Sequence, residues 1–209
     1  MTIIYNENAM QGASILTGFT MEDIQEMIDE NPSLRGYLQG YLAERALKRQ
    51  LQQIPGVTSV RKIPDQAETK GDFEIIYRGV SITIESKSVA TSSVKDDVLT
   101  QSWQGTVPIK NTDKRELEIE GLGTVSTSKL KRGQFDILAI CCFAVSGEWD
   151  FLFMENRFIP SAEEHYKLLK TSFIVNPGTT PGVTDNLVRL LEKTLEIKAQ
   201  TQRSEPLAA

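Results

Sequence analysis

Alternating apolar and polar positions mark the most regular stretch of the chain, residues 71–87. The apolar positions of this stretch are Phe73, Ile75, Tyr77, Val80, Ile82 and Ile84, and the pair Arg78-Gly79 interrupts the alternation. This pattern predicts two half-buried strands joined by a two-residue turn. Counting outward from the turn brings Asp72 directly opposite Glu85, and Lys87 shares their polar face.

The remaining pattern predicts helices and strands in a mixed order. Proline, glycine and capping residues indicate helices over 20–31, 33–53, 93–104 and 161–170, with a last helix that begins at 184 or 185. Strands are expected over 57–62, 135–145, 149–154 and 173–175. The nearly continuous apolar run 135–145 is typical of a strand buried on both faces. Residues 1–19 and the tail from 201 are expected to be irregular.

Composition places the chain among ordinary globular proteins. Its 209 residues are 40% hydrophobic and 24% charged, which suits one domain with a full core. No apolar run is long enough to span a membrane, and the N-terminus lacks a signal-peptide pattern, so we expect a cytoplasmic protein. The two cysteines, Cys141 and Cys142, are adjacent, and this spacing favours neither a disulfide nor a metal site.

The opposed acids of the hairpin are the first candidate chemistry. A solvated sheet face would explain isolated charges, but two carboxylates directly opposite each other repel. A cation between them removes that repulsion, and carboxylate oxygens are ligands that Mg²⁺ prefers. The hairpin therefore predicts either an ordinary charged face or a site for a divalent cation.

The spacing of Asp72, twelve further residues and then Glu85-x-Lys87 resembles the signature of the restriction-endonuclease-like PD-(D/E)xK nucleases. The predicted order of elements is similar to the αβββαβ core of that superfamily, in which helices flank a mixed central sheet. Gly71 stands where the signature has proline. A literal Pro64-Asp65 pair also occurs, but it lies beyond the hairpin register and is more typical of a turn.

The resemblance implies roles for individual residues. Asp72, Glu85 and Lys87 match the catalytic trio, and the carbonyl of Ser86 would add a ligand to a Mg²⁺ ion held by the two acids, with Mn²⁺ as a substitute. Glu44, from the helix predicted over 33–53, matches an acid that many members bring to the site.

Helical spacing leaves a second interpretation of Glu44 open. The residue lies at the shoulder of the apolar stripe of its helix, which also suits a structural ion pair with Arg45 or Lys48.

His165, the only histidine, is placed in a predicted helix and is interpreted as structural. Trp103 and Trp149 are assigned to the core in preference to base stacking.

The resemblance covers about residues 33–154 and implies a single nuclease domain over 1–209, with C-terminal helices over about 161–200. Residues 105–133 combine glycines with basic side chains and are interpreted as an insertion on the rim of the sheet. Within it Lys129, Lys131 and Arg132 are expected to contact DNA. The net charge of −5 gives no support from the whole molecule, so a local cationic surface has to supply the attraction.

The resemblance therefore implies a Mg²⁺-dependent endonuclease that acts on double-stranded DNA as a homodimeric type II restriction enzyme. One alternative on the same fold is a structure-specific repair or recombination nuclease. Another is a DNA-binding module without catalytic activity. These alternatives differ in whether DNA is cut and in what determines the position of the cut.

Overall fold

A computed structural model of the chain describes residues 18–64, 71–97, 99 and 102–204. The chain divides into two compact units, residues 1–41 and 42–209. The first unit contains helix α1, Met21–Glu30, and the beginning of helix α2, Pro32–Gln52. All strands of the described chain belong to the second unit, together with helices α3, Phe143–Ser146, and α4, Leu187–Ser204.

Helix α1 begins where the sequence predicts. The Thr20 hydroxyl accepts the backbone N–H of Asp23 at 3.1 Å, and the Asp23 carboxylate accepts the backbone N–H of Thr20 at 2.7 Å. This capping box satisfies amide groups that the first helical turn leaves without partners. The helix ends at Glu30, and α2 begins at Pro32, which suits a first helical position because it lacks an N–H.

The described residues of the second unit form ten strands. Five of these strands form a central sheet, and the other five form two smaller sheets. In chain order the strands are β1 Val57–Lys62, β2 Phe73–Tyr77, β3 Val80–Ser88, β4 Lys95–Asp97, β5 Ser102–Pro108, β6 Lys110–Ile119, β7 Gly123–Lys129, β8 Ile137–Cys141, β9 Phe151–Glu155 and β10 Ser172–Val175.

The central sheet is mixed, as the sequence predicts. Its order is β1-β2-β3-β8-β9, and β3 pairs in parallel with β8 while the other neighbouring pairs are antiparallel. Strands β2 and β3 pair from Tyr77 with Val80 at the turn to Phe73 with Ile84 at the far end. The hairpin register derived from the sequence is therefore confirmed.

The two faces of the central sheet are covered differently. Helices α2 and α4 cover one face, where Leu47 and Leu191 pack with Phe73, Ile75 and other buried side chains of the strands. The opposite face packs against side chains of β5, β10 and the segment that follows β9. Helices therefore flank the sheet on one face, and strands and loops cover the other.

The helix predicted over 93–104 does not form. Residues 95–97 are strand β4, which pairs with β5, and β5 also pairs with β10 about seventy residues later in the chain. The backbone of Gly105 in β5 lies close to the side chain of Val89, because a Cβ at position 105 would lie 2.5 Å from a Val89 methyl carbon. Long-range strand pairing thus overrides the helical preference predicted for this segment. Among the described residues no α-helix connects β3 to β8, so the αβββαβ order is not confirmed.

The helix predicted over 161–170 is also wrong. The Ser161 hydroxyl accepts a hydrogen bond from the Arg132 guanidinium at 2.8 Å and donates one to the carbonyl of Tyr166 at 3.1 Å. It therefore does not cap a helix. Isolated bridges join Lys131 to Leu168 and Ser161 to Leu169. The segment is held in an irregular conformation by partners that are distant in sequence.

Other boundaries differ by smaller amounts. The buried strand predicted over 135–145 ends at Cys141 as β8, and Phe143 begins the short helix α3. The last helix is confirmed and extends to Ser204, beyond the predicted tail boundary at 201. No helix within the described ranges is long and apolar enough to cross a membrane.

Candidate functional site

The end of the β2–β3 hairpin positions Asp72. The Asp72 backbone N–H donates to the Ile84 carbonyl at 2.8 Å, and its carboxylate Oδ2 accepts the Ser86 N–H at 2.6 Å. Gly71 before it has a φ of +107°, and a Cβ there would lie 3.2 Å from the Ile84 carbonyl oxygen. Proline, whose ring holds φ near about −65°, cannot adopt this conformation. The backbone conformation at Gly71 therefore excludes proline at this position.

Glu85 and Lys87 follow on β3 and form an ion pair of 2.6 Å between Oε1 and Nζ. Glu85 is buried, with 6% of its surface exposed. Burial raises the pKa of the Glu85 carboxyl above its usual range; Lys87 opposes this shift, and the charge of Asp72 adds to it. A buried, paired carboxylate of this kind differs from the exposed glutamates of an ordinary sheet face.

Lys87 remains an ammonium in this environment. Its burial favours the neutral amine, but nearby carboxylates favour the charged form more strongly, so the pKa of Lys87 is raised. The carboxylates responsible are those of Glu85, Asp72 and Glu44. The raised pKa favours the ammonium form of Lys87, whose charge the sequence leaves open.

Glu44 reaches the same place from helix α2. Its Oε2 lies 2.5 Å from Nζ of Lys62, and the same Nζ lies 3.7 Å from Oδ1 of Asp72. The ion pair agrees with the structural interpretation of Glu44, and its role in a catalytic site stays a prediction. The partner is Lys62 on β1 instead of the Arg45 or Lys48 expected from helical spacing.

Lys62 is a residue that the sequence reasoning missed. It is the last residue of β1 and pairs across the sheet with Phe73, the neighbour of Asp72. An antiparallel pairing of β1 with β2 would have predicted this position, since it places the end of one strand beside the start of the other. We call Glu44, Lys62, Asp72, Glu85 and Lys87 the acid–lysine cluster.

The donor atoms of the acid–lysine cluster suit a hard divalent cation. Its three carboxylates come from α2, from the residue before β2 and from β3, and oxygen ligands of this type bind Mg²⁺. Two ammonium groups, those of Lys62 and Lys87, offset part of the negative charge of these three acids. Across the described ranges, no three acidic, histidine or cysteine side chains are gathered closely enough to hold a metal ion as they stand.

The basic residues expected to contact DNA all have partners within the protein. Lys129 forms an ion pair with Glu164, and Lys131 donates to the Glu118 carbonyl at 3.1 Å. Arg132 donates at 2.7–3.4 Å to five acceptors, which are the carbonyls of Asn156, Arg157, Ile159 and Tyr166 and the hydroxyl of Ser161. A guanidinium has five N–H groups, so Arg132 has none left for phosphate in this arrangement.

The remaining candidates lie in structural positions or outside the described chain. His165 is not in a helix; its ring stacks on Tyr166, and its Nδ1 accepts the Lys167 N–H at 3.2 Å. Trp149 stacks on Phe143 beside the core, and Trp103 packs against the core of the opposite face. Asp65 lies outside the described residues.

Fold and site together define a mixed α/β protein with buried charges at the end of its central hairpin. No protein-family model matches the sequence, and no curated protein matches it. Among solved structures, the chain is similar to the bacterial homing endonuclease I-Ssp6803I at 14% identity and a TM-score of 0.39, over 66% of this chain and 76% of that one. A similarity of this extent carries no conclusion about activity, so a candidate function has to rest on the residues themselves.

Proposed function

We propose that this protein is a Mg²⁺-dependent endonuclease that hydrolyses phosphodiester bonds in double-stranded DNA. The observation that carries the proposal is the placement of Asp72 beside β3, where Glu85 and Lys87 form a buried ion pair. Burying charged groups is unfavourable, and clusters of perturbed acids and bases are enriched at functional sites. The hairpin register also matches the spacing of the nuclease signature.

Asp72, Glu85 and the Ser86 carbonyl are the groups that would hold the metal. The Ser86 N–H donates to Asp72, and a strand residue directs its N–H and its carbonyl toward the same neighbour, so the carbonyl faces the same edge. When bound, Mg²⁺ polarises a phosphoryl oxygen and makes a water molecule more acidic, and Mn²⁺ can substitute for it. Asp72 and Glu85 would fix the position of the reacting phosphate relative to this edge.

Lys87 and Glu44 would support the reaction from either side of the two acids. The Lys87 ammonium would stabilise the negative charge that develops on the phosphate oxygens. Glu44 faces Asp72 across the Lys62 ammonium and would face the metal once that ammonium moves away. Neither role requires a histidine.

The proposed biological form is a homodimer of the type II restriction class. Two copies related by a twofold axis present one acid–lysine cluster to each strand of a palindromic duplex. Analytical ultracentrifugation of the full chain tests separately whether the protein is a dimer. Discrete fragments from a plasmid support restriction activity, whereas cutting only at flaps or junctions supports a repair nuclease.

The central experiment compares Asp72→Asn with Glu74→Gln in a plasmid digest with Mg²⁺ and with a chelator. The asparagine side chain can still accept the Ser86 N–H, so the fold is retained while a negative ligand is lost. We expect Asp72→Asn to lose cleavage by about 100-fold or more, with DNA binding retained or strengthened.

Glu74 is the matched control because it lies two residues further along the same chain. Its carboxylate bonds to Arg61 at 2.6 Å and to Ser81 at 2.7 Å, outside the acid–lysine cluster. Glu74→Gln should cut DNA like the wild type. Undiminished cleavage by Asp72→Asn would contradict the assignment of Asp72 to the active site. A wild-type protein that binds DNA but never cuts it with Mg²⁺ would instead be a binding module.

A further inference from the structure

The Lys62 ammonium lies where a cation can face two acids at once. Its Nζ is 2.5 Å from Oε2 of Glu44 and 3.7 Å from Oδ1 of Asp72. The Lys62 side chain is 32% exposed, more than the 24% of Lys87. Lys62 is therefore the more accessible of the two ammonium groups in the acid–lysine cluster.

The two oxygens of Asp72 have different surroundings. Oδ2 accepts the Ser86 N–H at 2.6 Å, while Oδ1 faces Lys62. A divalent cation bound to Asp72 would take Oδ1, because Oδ2 already has a close donor. It would then lie within a few ångströms of the ammonium, and two cations at that separation repel strongly.

We propose that Lys62 is a resident counter-ion that competes with the divalent metal for Asp72 and Glu44. Without metal, it holds these two carboxylates together and offsets their repulsion. Binding of the metal at Asp72 displaces the ammonium toward solvent, so Lys62 lowers the metal affinity of the resting protein. This inference rests on the proposed metal-dependent function and concerns a residue that the motif does not include.

A purely structural ion pair is the competing explanation, and metal affinity separates the two. If Lys62 only ties α2 to β1, its removal weakens the fold and leaves intrinsic metal affinity unchanged or lower. If it competes with the metal, its removal increases that affinity. The sign of the change in affinity is thus the deciding measurement.

The experiment titrates the full-length protein with Mn²⁺ by calorimetry in the absence of DNA, comparing wild type with Lys62→Met and Lys62→Gln. We expect both variants to bind Mn²⁺ about fivefold or more tightly than the wild type. Glutamine can still donate hydrogen bonds to both carboxylates, so it keeps the test valid if the methionine variant folds poorly.

Arg61→Met is the matched control for the removed positive charge. Arg61 is the preceding residue of β1, but its guanidinium bonds to Glu74 at 2.6 Å, outside the acid–lysine cluster. The Mn²⁺ affinity of the Arg61→Met variant should stay within about twofold of that of the wild type, because exposed charges at a distance are largely screened. A gain as large as that of Lys62→Gln would show a general charge effect and overturn the inference.

Thermal melting supplies a second readout. Metal-free Lys62→Gln should melt below the wild type, and saturating Mn²⁺ should raise its melting temperature by more than it raises that of the wild type. Equal or weaker Mn²⁺ binding by both Lys62 variants overturns the inference and leaves the proposed function standing. Absence of Mn²⁺ binding by every protein, wild type included, contradicts the metal-dependent function as well.

Discussion

At the scale of single residues, neighbouring side chains give the same chemical group different properties. Glu74 is bonded to Arg61 and Ser81, and the Arg61 hydrogen bond is the main reason why the pKa of the Glu74 carboxyl is lowered. Glu85, on the adjacent strand, is buried, and its pKa is raised. Two glutamates on one hairpin thus differ because one faces solvent and a guanidinium while the other faces the protein interior.

Lys87 allows a test of charge against proton transfer. Because the surrounding carboxylates favour its ammonium form, we expect its main contribution to be positive charge. Lys87→Ala should reduce cleavage by about 100-fold or more, and Lys87→Arg should retain clearly more activity than the alanine variant. The measurement is the single-turnover cleavage rate at saturating Mg²⁺.

Retained Mn²⁺ binding, measured by calorimetry, is the control for both Lys87 variants. If arginine is as inactive as alanine while metal binding survives, the side chain has to accept or donate a proton. Wild-type cleavage by Lys87→Ala would remove Lys87 from the mechanism altogether.

At the scale of elements, irregular segments are held by side-chain hydrogen bonds in place of regular pairing. Arg132 connects the residues before β8 to the segment after β9 through five acceptors, four of them backbone carbonyls. The Gly133 N–H donates to the Asn156 side chain at 2.8 Å in the same region. These hydrogen bonds explain how residues 156–166 keep one conformation without forming a long helix or strand.

Arg132→Ala should therefore lower the free energy of unfolding by about 3 kcal/mol or more, because several carbonyls lose a charged donor together. Urea denaturation followed by circular dichroism measures this change. Arg189→Ala is the control, because Arg189 is exposed and has no ion pair within the described part of the chain. This substitution should change the free energy of unfolding by less than about 0.5 kcal/mol. Similar stability for the two variants would contradict a structural role for Arg132.

At the scale of the whole molecule, a net charge of −5 means that the proposed DNA binding would depend on a local basic surface. Lys129 and Lys131 remain proposed DNA-binding residues, each with an internal partner that phosphate can replace. Arg132 is a weaker candidate, because its five donors are all used inside the protein. A variant that includes Arg132 would combine reduced stability with weaker DNA binding, and the two effects could not be separated.

The double variant Lys129→Gln/Lys131→Gln, with Arg132 intact, should bind DNA more weakly than the wild type. The loss of affinity should be similar for unrelated DNA sequences. The slope of log K against log salt should become shallower by up to about 0.9 for each phosphate that the protein no longer neutralises. Fluorescence anisotropy across a salt series measures this slope. Lys95→Gln/Arg189→Gln changes the net charge equally at two exposed positions, and an identical slope change there would show that the two lysines do not bind DNA specifically.

The sequence by itself determined the elements whose signals are local. The α1 capping box depends on residues three apart, and the β2–β3 register depends on a two-residue turn and on strict alternation. For the same reason Asp72, Glu85 and Lys87 could be grouped without coordinates. Strand 57–62 and the last helix also followed from uninterrupted periodicity and clear boundaries.

Only the tertiary structure decided what depends on distant partners. Strands β4 and β5 form because β10 supplies an edge to pair with, and Ser161 bonds to Arg132 instead of capping a helix. Lys62 meets Glu44 because α2 packs across the sheet near the end of β1, and its pairing with Asp72 depends on strand order. Helical and strand periodicity describe one element at a time, whereas these outcomes are decided by the free energy of packing elements together.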